Sequence, residues 1–215
     1  MAKVLLGVTG SVAAMRVPDL YAALKRARHQ VKVVATRASL YFFDPAALGP
    51  MTPARPTRNP DVVVLDEDEW PGLGQGRHYQ RDDPVLHIEL RRWADVFLIA
   101  PLDANTLAKL AMGLADNCLT CVWRAWDPAK QVVLAPAMNT LMWDHPLTVQ
   151  HLGQLATQFG ARVPSEAQTA EALVEIINES CPHLRIVAPQ SKRLACGDVG
   201  MGALADIEEI AKVVT

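Results

Sequence analysis

The chain predicts an α/β domain, a parallel sheet covered by helices on both faces. Two observations carry that expectation. Short apolar, β-branched runs alternate with longer segments whose apolar residues recur at helical spacing. Small polar residues stand just past several of those runs, at the edge where open α/β sheets bind ligands. The 215 residues, half of them hydrophobic, can bury a substantial core and require no second domain, so residues 1–215 are expected to form one unit.

Val4 to Val8 reads as the first strand and ends in Gly7-Val8-Thr9-Gly10-Ser11, after which apolar residues from Val12 to Arg28 follow helical spacing. Gly10 and Ser11 offer close backbone approach, N–H groups and a hydroxyl, which suits a phosphate. A plain strand-to-helix turn capped by Ser11 would have the same sequence. Gln30 to Ala35 reads as the second strand, with Thr36 and Ser39 bringing hydroxyls to its end before Tyr41-Phe42-Phe43. From Asp44 to Gln80, Pro45, Pro50, Pro53, Pro56, Pro60 and Pro71 predict loop, with only Val62 to Leu65 able to form a strand. The run Asp66-Glu67-Asp68-Glu69 is expected to be a solvated turn without chemistry.

His87 to Trp93 predicts a short amphipathic helix, and Val96 to Ala100 a buried strand. The N-cap-rich Pro101-Leu102-Asp103-Ala104-Asn105-Thr106 follows and opens a helix reaching Gly113. Asp116 to Trp126 is expected to continue as helix. Its Cys118-x-x-Cys121 has no second cysteine pair, no nearby histidine pair and no preceding strand, so it reads as structural and no metal site is expected. Val132 to Leu134 is another buried strand. Past it, Ala135-Pro136-Ala137-Met138-Asn139-Thr140-Leu141-Met142-Trp143 makes an apolar wall holding one carboxamide.

Pro146 to Phe159 reads as helix closed by Gly160, and Glu166 to Ser180 as helix between two possible strands, Ala161 to Val163 and Leu184 to Val187. Residues 190–205, with Gly197, Gly200 and Gly202 close together, suit a mobile flap over a pocket. A last helix starts at Ile207.

The formal charge of −2 gives no basic excess for a nucleic-acid backbone, and no such partner is expected. Four cysteines are too few for a disulfide framework. No apolar stretch approaches the roughly 20 residues of a membrane helix, and Met1 leads straight into a strand without a signal-peptide pattern. A soluble cytoplasmic protein without membrane attachment is the expectation.

Three residues stand out for chemistry. His87 opens a helix, where it is either a surface or capping residue or, through its near-neutral titration, a general base. Cys196 sits between Arg193 and Asp198 in a glycine-rich segment, a poor place to bury an inert thiol, which favours reactivity. Asn139 either closes a strand by local backbone bonds or orients a ligand.

Five stretches together resemble the phosphopantothenoylcysteine decarboxylases of the flavin-dependent cysteine decarboxylase superfamily. They are Val8-Thr9-Gly10-Ser11-Val12-Ala13-Ala14, the segment from Val85 to Asp95, Ala100 to Leu107, Pro136-Ala137-Met138-Asn139 with Met142-Trp143, and Leu194-Ala195-Cys196-Gly197-Asp198. The resemblance covers most of the chain apart from the Pro-rich loop and the Glu166 helix. It implies a flavodoxin-like three-layer fold, a homotrimer, and FMN bound between subunits. The FMN phosphate would lie on Gly10, Ser11 and Val12, with Thr36 and Ser39 as further contacts. Asp103, Ala104, Asn105, Thr106 and Ala137 would line the rest of the flavin. Asn139 would hold the carboxylate of the substrate, 4'-phosphopantothenoylcysteine, together with Met142, Ala195 and Arg92 from a neighbouring subunit; Arg193 and Leu204 match further substrate contacts.

The implied reaction is decarboxylation to 4'-phosphopantetheine in coenzyme A biosynthesis. The substrate has no electron sink of its own. Oxidising its thiol to a thioaldehyde lets CO2 leave to give an enethiolate, and flavin supplies the redox step. By the same analogy His87 is the base and Cys196 the proton donor for returning the electrons. Two segments depart from the compact pattern, the loop 44–80 and the apparent insertion 164–183. The competing reading, from fungal relatives, is a non-enzymatic phosphatase regulator or one subunit of a shared-site hetero-oligomer. Those relatives typically carry long acidic extensions or lack the His or the Cys, and both residues are present here.

Overall fold

The computed structural model describes residues 1–49, 59, 61–70, 72, 75–193 and 199–214, without the side chains of Arg193 and Val199. Six parallel strands form one sheet: β1 (Lys3–Val8), β2 (Gln30–Ala35), β3 (Val63–Leu65), β4 (Val96–Leu102), β5 (Gln131–Pro136) and β6 (Leu184–Ile186). Their spatial order, β3-β2-β1-β4-β5-β6, reverses direction between β1 and β4. A crevice opens at such a reversal, outside the strands' carboxyl ends.

Helices α1 (Val17–Arg26) and α8 (Ile207–Val213) cover one face. The other carries α2 (Leu86–Trp93), α3 (Ala104–Met112), α4 (Cys118–Arg124), α6 (Pro146–Gln158) and α7 (Ala170–Ser180), while the one-turn α5 (Thr140–Trp143) follows the end of β5. Strand alternation divides the core accordingly: Val4, Leu6 and Val8 pack toward α1 and α8, while Leu5 joins Phe97, Ile99 and Leu134 under the second layer. Both sides of β1 and β4 are sealed, which is why these strands read as continuous apolar runs. The expected flavodoxin-like three-layer α/β architecture is what the chain adopts.

Several local expectations are corrected. The first helix starts later than Val12, because residues Val12–Arg16 form a 3-10 turn that Ser11 caps, and Pro18 lies in the first turn of α1. Asp116 to Trp126 does not continue the preceding helix. Gly113 ends α3 in the left-handed region, at φ 71°, and Asn117 caps a new helix by accepting from Thr120 N. Ala161 to Val163 is not a strand, and the helix expected from Glu166 begins at Ala170, with Thr169 as its cap. That helix, within the apparent insertion, buries Ala170, Leu173, Val174 and Ile177 in the core.

The glycine-rich segment is more ordered than a plain flap. β7 (Gln190–Arg193) and β8 (Val199–Ala203) pair antiparallel as a hairpin separate from the main sheet. Residues 194–198, including Ala195 and Cys196, lie outside the described residues, as does the middle of the expected loop 44–80. Among the described residues no helix is long and apolar enough to cross a membrane.

Candidate active site

Five chain segments meet at the carboxyl ends of the central strands around a cavity of about 610 Å³. From β1 come Gly10, Ser11 and Val12; from the turn after β2, Phe42; from β4, Asp103, Ala104 and Asn105; from β5, Ala137, Met138, Asn139 and Met142; from the hairpin, Lys192, Gly202 and Leu204. The volume falls within the range of cofactor and small-ligand sites.

The glycine turn is shaped by close approach. A Cβ on Gly10 would stand 2.7 Å from Ala38 Cβ and 3.3 Å from Asp103 Oδ2. Ser11 does cap the following turn, accepting from Ala13 N at 3.3 Å, and also lines the cavity, so the cap does not withdraw it from the pocket. Thr9, fully buried, joins the ends of β1 and β4: its Oγ1 donates to Pro101 O at 2.8 Å and accepts from Asp103 N at 2.7 Å. Asp103 then caps α3 by accepting from Thr106 N at 2.6 Å.

Asn139 is likewise both cap and lining residue. Its Oδ1 accepts from Leu141 N at 2.9 Å and starts α5, with Nδ2 as the donor end of the carboxamide. Behind it Trp143 is fully buried and donates its indole N–H to Glu171 Oε1 of α7 at 2.6 Å. The hairpin closes over this loop, with Met138 N donating to Gly202 O at 2.9 Å. Lys192 pairs with Asp206 at 3.0 Å; its hydrogen bond and that of Gln190 hold the Asp206 carboxyl below the usual carboxylate range.

Of the residues expected at the cofactor, Gly10, Ser11, Val12, Asp103, Ala104, Asn105 and Ala137 line the cavity. Thr36 and Ser39 stand behind the glycine turn, on the loop that carries Ala38. Ser39 Oγ donates to Thr36 O, whereas Thr36 Oγ1 is buried without a hydrogen-bond partner. Thr106 is buried in α3 rather than in the cavity wall. Asn139, Met142 and Leu204 line the cavity as expected for substrate contacts. Arg92, expected beside them from a neighbouring subunit, is exposed on α2 and does not line the cavity of its own chain.

His87 is also outside the cavity of its own chain. It stands in the first turn of α2, and Nδ1 is hydrogen-bonded to Glu69 Oε1. This corrects the expectation for the acidic run. Glu69 is only 2% exposed, because the 3-10 turn of residues Asp66–Glu69 packs against α2 and α4. Asp66 accepts from the backbone N–H groups of Arg37 and Cys118, and burial pushes its carboxyl up. Burial and the nearby Glu69 carboxylate push the Cys118 thiol well above the ordinary range, in keeping with a structural Cys118-x-x-Cys121. Sequence reasoning missed Thr9, Arg16, Phe42 and Lys192 as cavity or cavity-shaping residues, whereas Met138 lines the cavity as part of the expected apolar wall. All four lie in or beside stretches already marked by small polar residues.

A glycine cradle, hydroxyls behind it and an apolar wall at a sheet reversal define an α/β protein built for a phosphate-bearing cofactor. Residues 1–215 match the family model described as Flavoprotein. Phosphopantothenoylcysteine decarboxylase of Mus musculus is 42% identical over 213 residues, covering 98% of this chain and 85% of its own. Among solved structures, a Cys-to-Ser mutant of PPC decarboxylase complexed with pantothenoylaminoethenethiol superposes with a TM-score of 0.74 at 41% identity, covering 99% of this chain and 96% of that one. The FMN binding protein AtHal3 gives a TM-score of 0.71 at 41% identity, with coverage of 99% and 94%. The chain belongs to the phosphopantothenoylcysteine decarboxylases of the flavoprotein family.

Proposed function

We infer that the chain decarboxylates 4'-phosphopantothenoylcysteine to 4'-phosphopantetheine in coenzyme A biosynthesis, with FMN as cofactor. The observation that carries this is the single cavity shared by the Gly10 turn, the Asp103–Asn105 cap and the Asn139 loop. The site fits FMN on its own chemistry: a turn too tight for a Cβ at Gly10, and the orphaned hydroxyl of Thr36 on the loop behind it. Gly10, Ser11 and Val12 would hold the phosphate; Asp103, Ala104, Asn105 and Ala137 would face the ring and ribityl chain. When bound, FMN supplies reversible oxidation of the substrate thiol.

The chain's own groups bind and move protons. Asn139 Nδ2 donates to the substrate carboxylate, and Met142 and Leu204 exclude water around the reacting carbons. His87 accepts the thiol proton in the oxidation that makes loss of CO2 possible. Cys196 returns one to the product carbon. The position of His87 and Arg92 outside the cavity of their own chain supports their supply by a second copy, in the proposed cytoplasmic homotrimer.

An absorption spectrum and a turnover assay test this reading. Purified protein is expected to be yellow, with about one FMN per chain, and to form phosphopantetheine. Protein that neither takes up FMN nor converts the substrate would overturn it.

A further inference from the structure

We propose that Glu69 is a positioning residue for His87, its buried carboxylate holding the imidazole by Nδ1–H so that Nε2 is the proton acceptor. The proposal rests on the reading of His87 as the base of the decarboxylation and adds to it a residue from the other side of the Pro-rich loop.

The geometry is specific. Glu69 Oε1 is bonded to His87 Nδ1, and the two side chains differ sharply in access, 2% exposed for Glu69 and 19% for His87. The carboxylate is sealed while the ring keeps an open face. Its other oxygen, Oε2, is buried without a hydrogen-bond partner, and the neighbouring Cys118 thiol is at best a weak donor. The imidazole is therefore the strong hydrogen-bonding group for which this costly burial is retained.

The other carboxylates of the same turn have visible structural tasks. Asp68 accepts from Leu65 N at 2.8 Å and closes the turn, and Asp66 ties it to Arg37 and Cys118. Glu69 does neither. The backbone of α2 is fixed independently: Lys130 Nζ donates to Arg91 O and Ala94 O, and Arg91 Nη1 donates to Ala125 O. What remains unset at His87 is the ring's rotation and its tautomer, and a carboxylate on Nδ1 sets both.

With the Nδ1 proton engaged, the neutral ring carries its lone pair on Nε2. A proton taken from substrate goes there, and the positive charge that arrives with it lies against Glu69. The Cys118 and Cys121 thiols stand near Glu69 and Asp66 lies in the same turn, and none of the three is bonded to the imidazole among the described residues.

The test uses FMN-loaded protein and phosphopantothenoylcysteine. Glu69→Gln, which preserves volume, is expected to lower kcat about tenfold or more with KM and FMN content unchanged. Glu69→Ala is expected to lose more, and added formate to restore part of it. In protein labelled with 15N-histidine, His87 should show the Nδ1–H tautomer, and Glu69→Ala should mix the tautomers. Glu69→Gln in a His87→Asn background should cost nothing further.

Wild-type kcat in Glu69→Ala, or loss of activity with an unchanged tautomer and no response to formate, would overturn the proposal. Full activity in His87→Asn would instead remove the underlying assignment of the base, whatever the Glu69 variants do.

Discussion

The hydroxyl of Thr9 accepts from the Asp103 N–H at 2.7 Å while it donates to the Pro101 carbonyl at 2.8 Å. One buried side chain thus sets the spacing between the glycine turn after β1 and the cap that opens α3. Thr9→Val keeps the shape and removes both bonds, leaving a buried carbonyl and an N–H without their hydroxyl. Stability should fall by about 1–3 kcal/mol, and FMN should dissociate more readily. Denaturant melts and flavin fluorescence titration measure the two effects.

Gly10→Ala tests the cradle itself. The added methyl meets Ala38 Cβ at 2.7 Å, a distance no relaxed pair of carbons tolerates, so the turn must open. The expected outcome is folded, colourless protein whose FMN affinity is at least about tenfold weaker, roughly 1.4 kcal/mol. Unaltered FMN affinity would count against the Gly10 turn as the phosphate seat.

Gly202 is placed where only glycine fits, at φ 128° with its Cβ direction blocked by the Met138 carbonyl oxygen. Gly202→Ala should push the hairpin off the Asn139 loop and break the Met138 N to Gly202 O bond. FMN binding should survive, because the residues proposed to hold it follow β1, β4 and β5 rather than lying on the hairpin. Steady-state kinetics should show the loss mainly in kcat/KM.

Glu171→Ala removes the acceptor of the buried Trp143 indole N–H. An unpaired buried donor costs about 1–3 kcal/mol, and the loop it braces carries Asn139. A lower melting temperature together with a raised KM is expected. A changed melting temperature at constant KM would show that α7 stabilises the fold without bracing the site.

Alkaline stability follows from Cys118. Its folded-state titration is raised above the ordinary thiol value of 9.0 by burial, with Glu69 adding to the effect. A raised value means the unfolded chain releases this proton first, so the contribution is complete below about pH 8 and is lost progressively as pH climbs past roughly 9. Cys118→Ala should flatten that part of the stability profile, measured by urea melts between about pH 7 and 10.

The parallel sheet was legible because its strands are buried on both faces and so are apolar throughout, from Val4 to Val8 and from Val96 to Ala100. The cavity residues were legible because they are small or polar at the points where apolar runs stop, as at Gly10, Asp103 and Asn139. Glu69 was not. An acidic run has the composition of a solvated turn, and only the packing of α2 and α4 against it turns one member inward. The end of α3 at Gly113 was legible, whereas the separate start of α4 at Asn117 was hidden by helix-forming residues on either side. Ser11 and Asn139 each carried two readings, cap or ligand, and the structure shows one side chain serving the local turn while facing the cavity.

The hairpin of β7 and β8 bears on how such a protein changes over generations. It stands apart from the main sheet and rests on α5 and the core through Gly200 against Thr140, Met201 and the Met138 N to Gly202 O bond, with Lys192 and Gln190 tied to Asp206. On the proposed reading, the loops after β1, β4 and β5 seat the flavin while the hairpin walls the ligand side of the cavity. Substitutions on the hairpin would then alter which ligand is accepted while the proposed flavin seat is inherited intact.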